Sequence, residues 1–181
     1  MREKLIICGE EFKKSSTHFS FKELYKHIPD MKVLKKLREF PKLQSVSLNG
    51  TNINDAGLKY LSECKTITNL NVTFTGITDK GIAHLTALDK LEHLRLKDTS
   101  ISFKSISHFN KIRSLISLQV HETDITGKHL SYLNLPQLEE VFVDCDDNED
   151  HETLLLFSAR MENCRVYVKG RGYYYRHKFY G

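Results

Sequence analysis

Residues 70–85 read LNVTFTGITDKGIAHL, and this stretch decides the fold. It opens with alternating apolar and polar residues, the period of a β-strand, and closes with apolar residues at helical spacing. Thr78 between them belongs to a residue type that caps the N-termini of helices. The same frame of strand, threonine, one residue and isoleucine returns every 24 residues, with its threonine at Thr51, Thr75, Thr99 and Thr123. A fixed period of this length is typical of a solenoid.

Each repeat predicts a short strand, a turn and a short helix, and such a unit cannot bury its apolar face alone. Stacking the units joins their apolar faces into one continuous core. A threonine hydroxyl both donates and accepts hydrogen bonds, so a row of threonines can satisfy the backbone groups that stacking buries in the turns. No activating base recurs beside these threonines, so we assign them to the scaffold and not to catalysis.

The repeats resemble the leucine-rich repeat family, in the subclass whose units read L-x-x-L-x-L-x-x-T-x-I-T-D-x-G-L-x-x-L, found in bacterial proteins and beside F-box domains. Residues 70–85 match this pattern almost in full, and residues 46–61 nearly as well. The next two units depart from it at the Asp and Gly positions, where they have Phe103 and Ser105, then Gly127 and His129. The resemblance covers about residues 34–145.

What the resemblance implies is an α/β fold: a leucine-rich repeat solenoid of horseshoe shape. Its parallel β-sheet would form the concave face and its short helices the convex face. The matching residues are all scaffold positions, so the resemblance implies little about function.

No linker rich in Pro, Gly or Ser divides the chain, so we expect one domain over residues 1–181. Within it we assign residues 1–42 to an N-terminal cap and a degenerate first unit, 43–145 to regular repeats, and 146–181 to a C-terminal cap with a basic and aromatic tail. We expect six or seven stacked units. Near the ends we predict short strands at residues 5–8 and 19–21, a helix over 152–161, and a last strand through Val166 and Val168.

Composition favours a soluble globular protein, with 40% hydrophobic and 28% charged residues. No apolar run has the length of a membrane span. The N-terminal apolar stretch is too short for a signal peptide and two glutamates follow it, so we expect a cytoplasmic protein. The cysteines lack paired spacing, which favours isolated thiols and leaves a Cys145–Cys164 disulfide open; they are Cys8, Cys64, Cys145 and Cys164.

The net charge of +4 is mild, but it is distributed unevenly. Residues 1–42 contain eleven Lys or Arg and six Asp or Glu, whereas residues 139–152 contain eight acidic residues and no Lys or Arg. The tail after Val168 is basic and rich in tyrosine. Two interpretations stay open: the runs are ordinary solvated surface, or opposite ends of the solenoid carry opposite charges that orient a partner.

Specificity in such a solenoid is expected on the concave sheet, where the side chains between the buried apolar positions face outward. We predict a surface that changes from neutral to basic and then to acidic, with one exposed aromatic ring. Arg95 and Phe142 are its predicted energetic centres, against the alternative that Arg95 pairs with an acidic residue of a neighbouring strand. The predicted partner-binding residues are Ser45, Ser47, Asn49, Asn69, Asn71, Thr73, His93, Arg95, Lys97, Ser117, Gln119, His121, Glu140, Phe142 and Asp144.

The sequence predicts no catalytic residue, no cofactor and no standard metal site. Gly170-Arg171-Gly172 is followed by tyrosines where a phosphate loop would need a helix, and no His-x-x-x-His or Cys-x-x-Cys is present. Asp144-x-Asp146-x-Asn148 begins like a calcium loop but lacks the later Gly and Glu. A non-standard cation site within residues 144–152 stays open.

We therefore predict a non-catalytic protein–protein interaction module, monomeric, whose partner is another protein. One alternative is an immunity or inhibitor protein that neutralises a toxin or an enzyme. A second is nucleic-acid binding through the basic and aromatic tail, which the lack of a basic stripe along the sheet disfavours. A substrate receptor of a ubiquitin-ligase-like system is disfavoured as well, because residues 1–33 contain no clear F-box pattern.

Overall fold

A nine-stranded sheet is the main element of the computed structural model, which describes residues 4–23, 25–145 and 148–181. A separate antiparallel hairpin precedes it, made of β1 (Lys4–Ile7) and β2 (Glu10–Lys13). The strands of the main sheet are β3 (His18–Ser20), β4 (Ser45–Ser47), β5 (Asn69–Asn71), β6 (His93–Arg95), β7 (Ser117–Gln119), β8 (Glu140–Val143), β9 (Arg165–Val168), β10 (Gly172–Tyr175) and β11 (Lys178–Tyr180).

Strands β3 to β9 are parallel and follow one another in chain order. Their central apolar residues stand in one register, from Phe19 through Leu94 to Val166. Seven parallel strands agree with the six or seven units expected. The sheet does not end at β9, however, because β10 and β11 return antiparallel and extend it. Gly170 and Gly172 permit this reversal, since both have positive φ angles.

The helices lie between the strands, and a polar residue caps each of the regular ones. Asn54 accepts hydrogen bonds from two backbone N–H groups of the first turn, and Thr78 and Ser102 each accept one in the next two units. The helix predicted over 152–161 begins earlier, at Asn148. The α-helices are α1 (Asp55–Leu61), α2 (Asp79–Leu85), α3 (Ile106–Phe109) and α4 (Asn148–Arg160), and the 3₁₀ helices are Met31–Glu39, Phe103–Ser105 and Gly127–Tyr132.

The predicted scaffold role of the threonines is confirmed. Each hydroxyl donates a hydrogen bond to the backbone carbonyl three residues earlier and so closes the turn after its strand. Buried carbonyls without a hydrogen-bond partner are costly, and these hydroxyls supply one. The donor–acceptor distances are 2.8 Å for Thr51 to Leu48, 2.5 Å for Thr75 to Val72, 2.7 Å for Thr99 to Leu96 and 2.6 Å for Thr123 to Val120.

The motif aspartates join each repeat to the next one. The Asp55 carboxylate accepts the backbone N–H of Thr78 at 2.9 Å and its hydroxyl at 2.7 Å. The Asp79 carboxylate accepts the N–H and the hydroxyl of Ser102, both at 2.8 Å, and the hydroxyl of Ser105 at 2.5 Å. Ser105 thus takes the place of the motif glycine and adds a third bond. These contacts hold the stack of repeats in one arrangement.

The four cysteines, all within the described ranges, form no disulfide. Cys64 and Cys164 are buried among apolar residues, and this burial raises their pKa values to about 11 and about 12. Cys145 lies next to Arg171, whose Nη1 is 3.8 Å from the sulfur. The Cys145–Cys164 disulfide left open above is therefore not formed.

None of the helices in the described residues combines the length and the apolar character that crossing a membrane requires. The longest is α4, with 13 residues. Its buried apolar side chains, Leu154 and Phe157, belong to the same core as the apolar residues of the repeats.

Candidate functional site

The helices cover one face of the nine-stranded sheet, and we call the opposite face the open face. It carries the side chains that alternate with the buried apolar residues of each strand. All fifteen residues predicted to bind a partner lie on β4 to β8 or directly after these strands. The structure leaves all but Thr73 and Ser117 at least partly exposed. Ser117 is buried because its hydroxyl donates to a Glu140 carboxylate oxygen at 2.6 Å.

Cross-strand register arranges the open face in rows that run across the strands. Neighbouring strands are about 4.8 Å apart, so consecutive members of a row are side by side. One row contains His18, Ser45, Asn69, His93, Ser117, Glu140 and, on β9, Arg165. The row beside it, which we call the central row, contains Ser20, Ser47, Asn71, Arg95, Gln119, Phe142, Tyr167, Tyr173 and Tyr180.

The first half of the open face is polar and contains a depression of about 250 Å³, which we call the Arg95 depression. Arg95 is exposed, and no carboxylate in the described part of the chain lies within ion-pair distance of it. Arg95 therefore forms no ion pair with an acidic residue of a neighbouring strand in the described part of the chain, and that alternative is wrong there. The residues lining the depression are His18, Ser45, Val46, Ser47, Asn69, Leu70, Asn71, His93 and Arg95.

The second half of the open face is aromatic. The rings of Phe142 and Tyr167 stack with centroids 4.6 Å apart, and Tyr173 stacks on Tyr180 at 4.9 Å. Tyr167 and Tyr173 connect the two pairs at 5.7 Å. The sequence identified only Phe142, because the other three rings lie beyond the regular repeats. Buried and outward-facing residues alternate over residues 165–169, and this pattern could have predicted that Tyr167 lies opposite Phe142 on the open face.

Beside these rings lies a second depression of about 250 Å³, which we call the Phe142 depression. The side chains of Phe142 and Tyr167 form its apolar wall, and His121 and Lys169 also line it. Burial, and then the nearby Lys97 ammonium, lower the pKa of His121, which favours its neutral form. Its Nδ1 is buried without a hydrogen-bond partner in the described residues.

The acidic residues of the predicted surface do not lie at the end of the sheet. Glu140 accepts the Ser117 hydroxyl and Asp144 accepts the backbone N–H of Glu122, and these neutral donors leave the two negative charges in place. Three more strands follow β8, and they add Arg165 and Lys169. The face therefore continues past its acidic residues to a basic and aromatic end.

Glu122 neutralises part of the basic charge between the two halves. Its carboxylate contacts Lys169, and it lies 3.4 Å from the Lys97 ammonium. The hydrogen bond from Lys169 is the main cause that lowers the pKa of Glu122. Lys97 and Lys169 are thus engaged within the protein, whereas Arg95 is not.

The acidic run and its open cation site are described only in part. Asp146 and Asp147, and the side chains of Asn148 and Glu149, lie outside the described residues. Among the described side chains, no three of His, Cys, Asp or Glu are grouped so that they could hold a metal ion.

Sequence reasoning missed a feature at the rim of the face. The residue directly before each motif threonine has a left-handed backbone, and only the first of these residues is a glycine. This conformation costs a residue with a side chain about 1 kcal/mol. At Phe74 it accompanies an exposed ring that lies 4.9 Å from the Lys97 ammonium. The φ angles are 68° at Gly50, 56° at Phe74, 51° at Asp98 and 59° at Glu122.

No protein-family model matches the chain, and a comparison with curated proteins finds no match. Solved structures do resemble it. Internalin C2 of Listeria monocytogenes strain 4b F2365 has a TM-score of 0.56 and 16% sequence identity, over 77% of this chain and 56% of that one. Internalin F of the same strain has a TM-score of 0.55 and 18% identity, over 88% of this chain and 50% of that one.

The chain thus spans about half the length of the solved internalins that it matches. At these identities the likeness shows the fold alone. Internalins are leucine-rich repeat proteins, and the fold of this chain is the leucine-rich repeat solenoid that its 24-residue period predicts.

Proposed function

We propose that the chain is a non-catalytic protein-interaction module that binds another protein through the open face. The observation that carries this proposal is the central row. It places four aromatic rings and an exposed arginine, which has no ion-pair partner in the described part of the chain, on one uncovered sheet. Arginine and aromatic residues are the types that dominate the binding energy of protein interfaces.

The size and stiffness of the face support the same role. Nine strands at a spacing of about 4.8 Å make a surface about 38 Å long. The threonine turns and the aspartate contacts between repeats hold these strands in place before any partner arrives. Little conformational entropy is then lost on binding, which leaves more of the contact energy for affinity.

The likeness to leucine-rich repeat structures supports two finer assignments within this proposal. We assign the chain to the T-x-I-T-D-x-G-L subclass, because two of its units carry that pattern almost completely. We also assign the open face to the concave side of a horseshoe, where repeat proteins offer their extended binding surfaces.

The packing of the tail favours a protein partner over a nucleic acid. Tyr173 and Tyr180 cover each other's ring faces. Tyr174 is buried against α4, where its hydroxyl lies 2.7 Å from Nδ1 of His151. Binding of single-stranded nucleic acid relies on ring faces that bases can stack on; Tyr174 is buried, and Tyr173 and Tyr180 each have one ring face covered by the other.

Affinity purification from the native cell tests the proposal. The open-face variant carries Arg95→Glu and Phe142→Ala. The matched control carries Phe103→Ser and Tyr132→Ser, two exposed aromatic residues on the helix side. We expect the open-face variant to recover at least 10-fold less of the partner than the wild type, and the control to recover as much. A partner that is lost with the control and kept by the open-face variant contradicts the proposal. Urea unfolding of both variants checks that they are folded.

A further inference from the structure

The Arg95 depression is built to receive an anion. Among the described residues, no acidic side chain lines it, and the Arg95 guanidinium is its one full charge. Arginine binds carboxylate and phosphate oxygens through two parallel N–H bonds. The hydroxyls of Ser45 and Ser47 lie on neighbouring positions of the same depression and add further polar groups.

The two asparagines of the depression are oriented as donors. The side-chain oxygen of Asn71 accepts the backbone N–H of Thr73 at 3.0 Å, and that of Asn69 accepts the Thr68 hydroxyl at 2.6 Å. Because both oxygens are occupied, each side chain has its NH₂ group left to offer. A set of amide and guanidinium donors without an acceptor carboxylate complements a negatively charged side chain.

The Phe142 depression has the opposite character. Its apolar side chains are those of Phe142 and Tyr167, and burial lowers the pKa of His121 beside them. The nearest ammonium, that of Lys169, is held by Glu122. An apolar side chain placed here would bury carbon surface at about 25 cal/mol per Å² and would displace no ion pair.

Arg95 itself, at one side of its depression, and the Phe142 depression lie at a defined separation across the strands. Arg95 is on β6, and the Phe142 depression is centred between β8 and β9. Two and a half strand intervals of about 4.8 Å give a separation of about 12 Å. An extended chain covers this distance in three or four residues, and a helix in seven or eight.

From these observations we infer that the open face recognises a protein segment with one anionic side chain for the Arg95 depression and one apolar side chain for the Phe142 depression, about 12 Å apart. This inference rests on the proposed function and specifies its partner's chemistry. The anionic group is a carboxylate or a phosphate on a side chain, since the same donors bind both.

Selection of random 16-residue peptides displayed on phage, against the immobilised full chain, tests this inference. We expect enriched peptides to pair an Asp or Glu with an apolar residue at one of the two spacings given above. Synthetic versions in which that acid becomes its amide should bind at least 10-fold more weakly. Arg95→Gln should weaken binding of the acidic peptide by the same factor and leave the amide peptide unaffected. Arg113→Gln, which removes an equal charge from an exposed arginine outside the open face, should change neither.

A third version of the peptide carries phosphoserine at the acidic position, and tighter binding of it would identify phosphate as the natural anion. Peptides that need Phe142 but neither an acid nor Arg95 would overturn the inference while leaving the proposed function intact. Peptides lost only with Phe103→Ser and Tyr132→Ser would overturn both. A selection that enriches no peptide above background also overturns the inference.

Discussion

Replacing Asp79 with alanine removes the carboxylate that joins the second and third regular repeats. That carboxylate accepts three hydrogen bonds, two from Ser102 and one from Ser105. Hydrogen bonds to a charged group contribute about 1.5–3 kcal/mol each, but bonds that share one acceptor group are not additive. The substitution also leaves the Ser102 N–H and the fully buried Ser105 hydroxyl without this acceptor. We therefore expect a loss of about 3 kcal/mol in the free energy of unfolding.

Urea unfolding at pH 7, followed by far-ultraviolet circular dichroism, measures this loss. The matched control is Asp89→Ala, because Asp89 is exposed and has no bond within the described residues. The control should change the free energy of unfolding by less than about 0.5 kcal/mol. A loss below about 1 kcal/mol for Asp79→Ala would refute the role of this aspartate in joining the repeats.

The pH dependence gives a second test of the same contact. Burial opposes ionisation of Asp79, but the hydrogen bonds from Ser105 and Ser102 outweigh it, so the pKa lies below its ordinary value of 3.8. A carboxyl group with a lowered folded pKa stabilises the protein above its unfolded pKa and loses that effect as pH falls through the folded pKa. The difference between wild type and Asp79→Ala should therefore be constant above about pH 5 and shrink below pH 3.8. A difference that grows at low pH would contradict the assignment.

Three further predictions concern packing, backbone and thiols. Gly81→Ala places a Cβ 2.4 Å from a carboxylate oxygen of the preceding repeat and should lower the free energy of unfolding in urea by about 2 kcal/mol. The control Gly76→Ala, whose added Cβ has no atom nearer than 3.9 Å, should lower it by less than about 1 kcal/mol. Asp98→Gly should raise the free energy of unfolding by up to about 1 kcal/mol because the φ angle of 51° suits glycine; an unchanged or lower value would contradict the strain. Burial raises the pKa of Cys164 to about 12, so iodoacetamide at pH 8 should label the partly exposed Cys8 first and Cys164 only after unfolding. Peptide mass spectrometry measures the labelling, and equally fast labelling of both thiols in the native protein would contradict this prediction.

The repeat region could be predicted from sequence because its information is local and periodic. The threonine period set the register of the strands, and Val46, Leu70, Leu94 and Leu118 stand opposite one another as the 24-residue frame requires. The capping residues likewise predicted where the helices begin, since a capping side chain accepts hydrogen bonds from backbone N–H groups only two or three residues away.

Features that depend on distant partners could not be predicted. The β10–β11 hairpin lies outside the period, and its place in the sheet is decided by pairing with β9 and by burial of Tyr174 against α4. The basic and aromatic end of the face could not be predicted because β9 to β11, which lie outside the regular repeats, extend the sheet beyond Glu140 and Asp144. The left-handed residues before the threonines were missed because Phe74, Asp98 and Glu122 are not glycines.

The most direct test of the central claim is to locate the contact with the partner. A photo-crosslinking amino acid is introduced at Gln119, in the middle of the central row, or at Ser107, exposed on α3. Each variant is expressed in the native cell and irradiated. We expect the Gln119 position to form a covalent adduct with the protein partner that affinity purification recovers, and the Ser107 position to form none. An adduct from Ser107 alone would contradict it.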